Sequence, residues 1–273
     1  MKTKWIGLAV LLLVIAGAGL YAAVGRPAET VEITGFVGGE KISLLEDEQV
    51  TERMEEKYGL KMDYARAGSL DMITADHSGR NYLFPSSQTA LELYENLYGR
   101  PVKSEIVLNT PIVLYTRRAV ADALTEQGIV SEEDGVLYGD MEKLTQCLED
   151  GTTWEELGLP QLYGSFSVGT TDPNKSNSGN MFAGLLANIL CGGVADESNI
   201  DEALPRLRSI FQKLGYMETS SSDLFDQFLK TGMGAKPLIA GYENQLLEFA
   251  VQNPSESRSQ AVLGRQGSLT TPW

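Results

Sequence analysis

Apolar and polar residues alternate in Val31-Glu32-Ile33-Thr34-Gly35-Phe36-Val37, the two-residue period of a strand, and the run ends in the turn Gly38-Gly39-Glu40-Lys41. The period then changes. Val50, Met54 and Tyr58 are spaced by four, which predicts a helix over 47–58 stopped by Gly59. Lys61 to Ala67 reads as a second strand, Gly68-Ser69 as a turn with Ser69 capping, and Leu70 to Ala75 as a short helix. Asn81 to Phe84 is a third apolar run, ended by Pro85. Ser86 caps the following helix, whose buried face carries Leu91, Tyr94, Leu97 and Tyr98.

The same grammar continues through the middle of the chain. Val107-Leu108 and Ile112 to Tyr115 are strand-like, Ala119 to Gln127 is helical, and Asp140 caps a helix with Met141, Leu144 and Leu148 on one face. Ser165 to Thr170 is a strand, and Met181 to Leu190 is apolar nearly all round, hence a buried helix. Helices follow near 200–214 and 223–230, then a strand over Pro237 to Tyr242 and a helix over Glu243 to Val251. Strands alternating with helices imply an α/β fold with a mostly parallel sheet covered on both faces. Beyond Asn253 the pattern stops. Only Ala261-Val262-Leu263 is apolar there, and the expectation is an irregular, exposed tail that leaves part of the fold uncovered.

The N-terminus has a different pattern. Lys2 and Lys4 precede Trp5 to Val24, about twenty uncharged residues, the length of a membrane-crossing helix. The lysines stay on the cytoplasmic side, so everything after Arg26 is expected to be extracytoplasmic, at the cell surface or in a periplasm. Residues 1–25 act either as a retained anchor or as a signal peptide cleaved near Ala16-Gly17-Ala18.

Composition narrows the function classes. The 273 residues are enough for one large domain or two ordinary ones with a buried core, and 42% hydrophobic with 22% charged is globular. Lys+Arg number 22 against Asp+Glu 37, a net charge of −15, which would repel a phosphate backbone; nucleic acid is not an expected partner. With one histidine, His77, and two cysteines, Cys147 and Cys191, the chain cannot build a zinc site of several His and Cys ligands. His77 has polar neighbours that suggest an exposed helix end. The two cysteines are expected as free thiols on helices.

Candidate chemistry gathers where strands run into helices. Between the 165–170 strand and its helix stand Asp172, Ser176, Asn177, Ser178 and Gly179, and a helix start offers N–H groups without internal partners. The plain alternative is an ordinary cap, with Asp172 a turn residue before Pro173. Three other turns have the same form: Gly39-Glu40-Lys41, Gly68-Ser69 and Ser86-Ser87 each follow a strand, and ligands of open α/β sheets collect outside the carboxyl ends of strands.

At this point the sequence resembles a family. RAGSLDMITADHSGRNYLFPSS (66–87), SVGTTDPNKSNSGNMFAGLLAN (167–188) and AKPLIAGYENQLLEFA (235–250) look like the cleft-lining turns and the return crossing of type II periplasmic solute-binding proteins, nearest the molybdate-type and other class 1 members, over about 30–252. The resemblance implies two α/β lobes, 30–112 plus 237–273 and 113–236, with a ligand between them. It implies that Gly39, Glu40, Lys41, Gly68, Ser69, Ser86 and Ser87 face Asp172, Ser176, Asn177, Ser178 and Gly179, with Tyr242 and Glu243 at the return crossing. Neutral donors dominate that set, which suits a small oxyanion or carboxylate-bearing solute; Lys41 is either its one cation or a solvated surface lysine. No cofactor, metal or catalysis is implied. The implied state is a monomer and the implied partner an ABC-type permease. A membrane-tethered sensing receptor is the alternative, and a hydrolase the least supported class.

Overall fold

The computed structural model describes residues 30–254, Ile15-Ala16, and the backbone of 260–266. The segment expected to be an anchor or signal peptide lies outside the described residues except for that one pair. Among the described residues no helix is long and apolar enough to cross a membrane.

Two sheets organise the described residues. The first has strand order β2-β1-β3, all parallel: β1 is Val31–Val37, β2 Leu60–Arg66 and β3 Tyr82–Phe84. Between these strands come a 3-10 turn at Gly39–Lys41, then α1 (Ile42–Glu46), α2 (Glu48–Tyr58) and α3 (Ser69–Thr74), with α4 (Gln88–Tyr98) after β3. Asp47 rather than a hydroxyl residue caps α2, its Oδ1 accepting from the Val50 N–H at 3.1 Å. The sealed apolar cluster of this lobe is small, Met72, Ile73 and Ala90, with Phe36, Leu70, Leu83 and Leu93 partly buried around it. Val102, Ile106 and Val107 beyond it are exposed, and Val107-Leu108, expected as a strand, forms no element.

The second sheet has the order β5-β6-β8-β4-β7, where β4 is Ile112–Arg117, β5 Val130–Glu133, β6 Val136–Asp140, β7 Leu238–Tyr242 and β8 Gln260–Gln266. It is mixed rather than mostly parallel: β6 and β8 run parallel, while β4 is antiparallel to both β7 and β8, and β5 to β6. Helices α5 (Arg118–Glu126), α6 (Met141–Asp150), α7 (Asn177–Leu190) and α8 (Ile200–Leu214) bury one core against it, with Leu124, Leu144, Trp154, Phe182, Leu186 and Ile210 at most 2% exposed. On the other face α9 (Ser221–Thr231) and α10 (Glu243–Gln252) pack Leu224, Phe225, Phe228 and the partly buried Phe249 against Val113, Tyr115 and Ile239.

Three expectations are corrected here. Residues 237–273 were expected with the first lobe, but β7 and β8 hydrogen-bond within the second sheet, on either side of β4. The tail was expected to be irregular, yet 260–266 is a strand between β6 and β4; the backbone groups of both neighbours fix it, where local periodicity gives no sign. The 165–170 strand reduces to isolated bridges, Ser165 to Thr153 and Gly169 to Ile239, the second of which lays its end along β7, while Thr171 beyond it bridges Glu218. Gly169 receives the Ala240 N–H and donates to Leu238 O, both at 2.8 Å, and this explains why every residue of β7 is buried although its sheet ends there.

Candidate functional site: a cleft between the two sheets

A cleft of about 390 Å³ opens where the carboxyl ends of β1, β2 and β3 meet the starts of α7 and α9. From the first lobe it takes Gly38, Gly39 and Glu40 after β1, Arg66 to Ser69 and Asp71 after β2, and Ser86 after β3. From the second it takes Lys175 to Asn177, Thr219 to Ser221, Asp223 and Tyr242. The strand-turn-helix arrangement positions these groups, because each strand delivers its last residues to the same edge of the sheet.

Buried polar residues form the floor. Lys41 is only 6% exposed, and its Nζ donates to Glu40 Oε1 at 2.5 Å and Ser86 Oγ at 2.6 Å. Ser86 also donates to Glu40, and its backbone N–H donates to Ser69 Oγ at 2.9 Å. The reading of Lys41 as a solvated lysine is thereby overturned. Lys41 is a sealed cation neutralised by its sequence neighbour, and a donor to both partners rather than a base. Burial alone would raise the Glu40 carboxyl, but the Lys41 charge and the hydrogen bonds from Lys41 and Ser86 outweigh it and hold the group below its ordinary value of 4.5.

Asn177 joins the two lobes. Its Nδ2 donates to the Ser86 carbonyl at 3.1 Å and to the Tyr242 hydroxyl at 2.8 Å. Burial first, and the Glu40 charge after it, push the Tyr242 phenol up, so it stays neutral and serves as a hydrogen-bonding group. Two side-chain oxygens of cleft-lining residues, Asn177 Oδ1 and Ser220 Oγ, are enclosed and have no hydrogen-bond partner among the described residues. Ser176 and Ser220 occupy the N-cap positions of α7 and α9 without making a side-chain cap bond, so neither hydroxyl satisfies the first-turn N–H groups.

Towards the rim, ion pairs cross from lobe to lobe: Arg66 Nη2 to Asp223 Oδ2 at 2.9 Å and Lys175 Nζ to Asp71 Oδ1 at 3.9 Å. Backbone also touches across the gap. A Cβ placed on Gly68 would stand 2.0 Å from the Lys175 carbonyl, and one on Gly39 would stand 2.9 Å from Ser220 Oγ, so the lobes lie in contact as they stand.

Of the residues singled out from the sequence, Gly39, Glu40, Gly68, Ser69, Ser86, Ser176, Asn177 and Tyr242 line the cleft, and Lys41 lies directly behind it. The others are placed elsewhere. Ser87, not Ser86, caps α4 by accepting from the Ala90 N–H at 3.4 Å, and Gly68, not Ser69, is the N-cap of α3. Ser178 is buried against Thr171 Oγ1 at 2.8 Å, and Gly179 packs so tightly on Thr171 that a Cβ would meet its carbonyl at 2.1 Å. Asp172 holds its own turn through the Asn174 N–H at 2.9 Å, and Glu243 starts α10 on the exposed side. His77 is half-buried rather than exposed, its Nε2 2.8 Å from the Met72 carbonyl and its ring against Tyr94 and Tyr98, away from the cleft. Cys147 and Cys191 are free.

Sequence reasoning missed Arg66, Asp71, Lys175, Asp223 and the run Thr219-Ser220-Ser221. The last carried a readable signal: serines before an apolar-periodic helix, with an acid three residues after Ser220, have the form of a helix start.

No family model matches the chain, and no curated protein matches it. Among solved structures, the chain is similar to a periplasmic molybdate-binding protein of Azotobacter vinelandii at 13% identity, covering 77% of this chain and 71% of that one, with a TM-score of 0.44. It is similar also to a substrate-binding domain assigned to a molybdenum ABC transporter of Clostridium difficile, at 12% identity, 89% and 81% coverage and TM-score 0.44. A further likeness, to the periplasmic binding protein P5PA, stands at 11% identity, 86% and 70% coverage and TM-score 0.44.

Proposed function

We propose that this chain is an extracytoplasmic solute-binding protein that captures a small polar solute between its two lobes and presents it to an ABC-type permease, without chemical change to the solute. One observation carries the reading: a cleft of about 390 Å³ takes its lining from both lobes, and that lining is rich in hydroxyl and amide groups, with Ser69 and Ser86 on one side and Ser176, Asn177, Thr219, Ser220 and Ser221 on the other. The cleft volume falls in the range of small-molecule sites. A solute held by both lobes favours their closure, because only contacts made to both can shift that equilibrium. The uncharged segment Trp5 to Val24 supports export, as a cleaved signal peptide or as a retained anchor.

Of the two solute classes expected from the sequence, an oxyanion and a carboxylate-bearing solute, both accept hydrogen bonds from hydroxyl and backbone N–H groups of the kind found at Ser220 and Ser221. The test is a thermal-melt screen of the full chain across oxyanions, amino acids, sugars and metal chelates. A true ligand at a hundred times its Kd stabilises by about 2.7 kcal/mol. The expected result is stabilisation by one class that disappears in Asn177→Ala, with the solute recovered unchanged. No stabilisation by any class, or recovery of a reacted product, contradicts the proposal.

A further inference from the structure

We infer, building on the export part of that reading, that the chain keeps Trp5 to Val24 as its anchor and rests the amino edge of the first lobe on the lipid surface, through exposed aromatic and apolar side chains, with the mouth of the cleft turned to solution. Two independent observations lead there.

The first is where the chain enters the fold. β1 starts at Val31, whose N–H donates to the Gly59 carbonyl at 2.7 Å, beside the start of β2 at Leu60. The cleft lies past the other end of the same strand, at Gly38. The seven residues of β1 rise about 3.3 Å each, which puts about 20 Å between its two ends. Between Val24 and Val31 stand only Gly25 to Thr30, which span about 20 Å when fully extended. A tether no longer than the strand has no slack to turn the lobe over. The amino edge therefore faces the bilayer.

The second is what that edge exposes. α2 joins the cleft end of β1 to the amino end of β2 and finishes there at Tyr58. α4 starts at the cap Ser87, next to the cleft-lining Ser86, and its 11 residues carry the chain about 16 Å back, to where the Tyr98 ring meets His77 in the loop that enters β3. Val31, Tyr58, Leu97 and Tyr98 are each more than half exposed, and Val102 just beyond them is fully exposed. Tyrosine suits the headgroup layer, having an apolar ring and a polar tip, and long basic side chains extend there; exposed Lys57, Arg100 and Lys103 stand beside these groups in the sequence. A net charge of −15 gives no attraction to anionic lipid, so the contact is apolar and interfacial, made effective by the short tether.

The full chain in phosphatidylcholine nanodiscs that carry a phosphatidylcholine photoreactive at headgroup depth tests this, with labelled peptides mapped by mass spectrometry. Peptides spanning 54–60 and 95–103 are expected to carry at least about threefold more label than those spanning 66–71 and 219–225 at the cleft, because an interfacial contact lies within about 10 Å of the headgroup boundary. Tyr58→Ser combined with Leu97→Ser changes two exposed side chains outside the apolar cluster, so the variant should melt like wild type and lose label at both amino-edge peptides. Label spread evenly over the two ends, or concentrated at the cleft, overturns the inference, as does protein purified from the membranes of the producing cell that begins beyond Ala18. The thermal-melt screen reads solute binding separately. A stabilising solute together with even labelling removes this inference alone, and a blank screen together with amino-edge labelling removes the solute-binding reading alone.

Discussion

At the residue scale the cleft depends on a few positions where one atom decides the outcome. Gly68 is one, because a methyl group there would stand 2.0 Å from the Lys175 carbonyl on the opposite lobe. Gly68→Ala should therefore hold the lobes apart and break the Asn177 to Ser86 bridge. Affinity for the solute should fall at least about tenfold, while unliganded stability, measured by denaturant unfolding, should change by less than about 1 kcal/mol because the open form relieves the contact. Unchanged affinity would show that the lobes do not need to meet there. Glu40 is another. Its carboxyl is held below 4.5 in the folded protein, so the pairing with Lys41 stabilises fully above that value and is lost as pH falls through the folded-state value. Glu40→Gln leaves the buried Lys41 uncompensated and should cost about 3 kcal/mol at pH 7. The gap to wild type should be smaller at an acid pH below the folded-state value than at pH 7, because wild type there has lost the same interaction. Urea unfolding at both pH values checks this, and an equal gap at both would contradict the assigned role.

Legibility divides along the same line as locality. Ser176 and Asn177 were readable because a helix start advertises donors in its own sequence. Ser86 and Ser69 were readable as cleft residues but not in their roles: Ser87 took the cap, and Ser69 instead holds the Ser86 backbone from 17 residues away. Lys41 was legible only as a charge. Whether a lysine is solvated or sealed depends on what folds over it, and here that is Ser86 and the ring of Phe84, 4.9 Å from its Nζ.

At the scale of elements, helices with a four-residue period and a cap were readable to within a residue or two, as with α2, α8 and α10. The β5-β6 hairpin was also within reach and was missed: Asp134-Gly135 has both residues at positive φ, 52° and 80°, the Asp-Gly signature of a two-residue turn. Sheet membership was not readable, since the partner of a strand lies far along the chain. β8 is the sharpest case. It pairs with β4 on one side and β6 on the other, so removing residues 255–273 would leave two central strands with open backbone edges. The truncated chain should lose cooperative unfolding of the second lobe and aggregate at concentrations where the full chain does not, as read by light scattering and calorimetry. A truncated chain that melts like the full one would show that β8 contributes nothing to the sheet.

At the scale of the whole molecule the two lobes are unequal. The second has cores on both faces of its sheet, whereas the first seals only Met72, Ile73 and Ala90 in its cluster, and much of what orders its edge is contact with the second lobe through Asn177, Asp223 and Lys175. Solute binding on this account is the completion of an interface that is already half made. The most direct test is hydrogen exchange of the full chain with and without a saturating solute from the screen. Slowed exchange is expected in both lobes together, at 38–41 and 66–69 and at 176–178 and 220–223, with little change in α5 or α6. Protection confined to one lobe, or none at these segments despite measurable binding, would contradict a solute held between the two sheets.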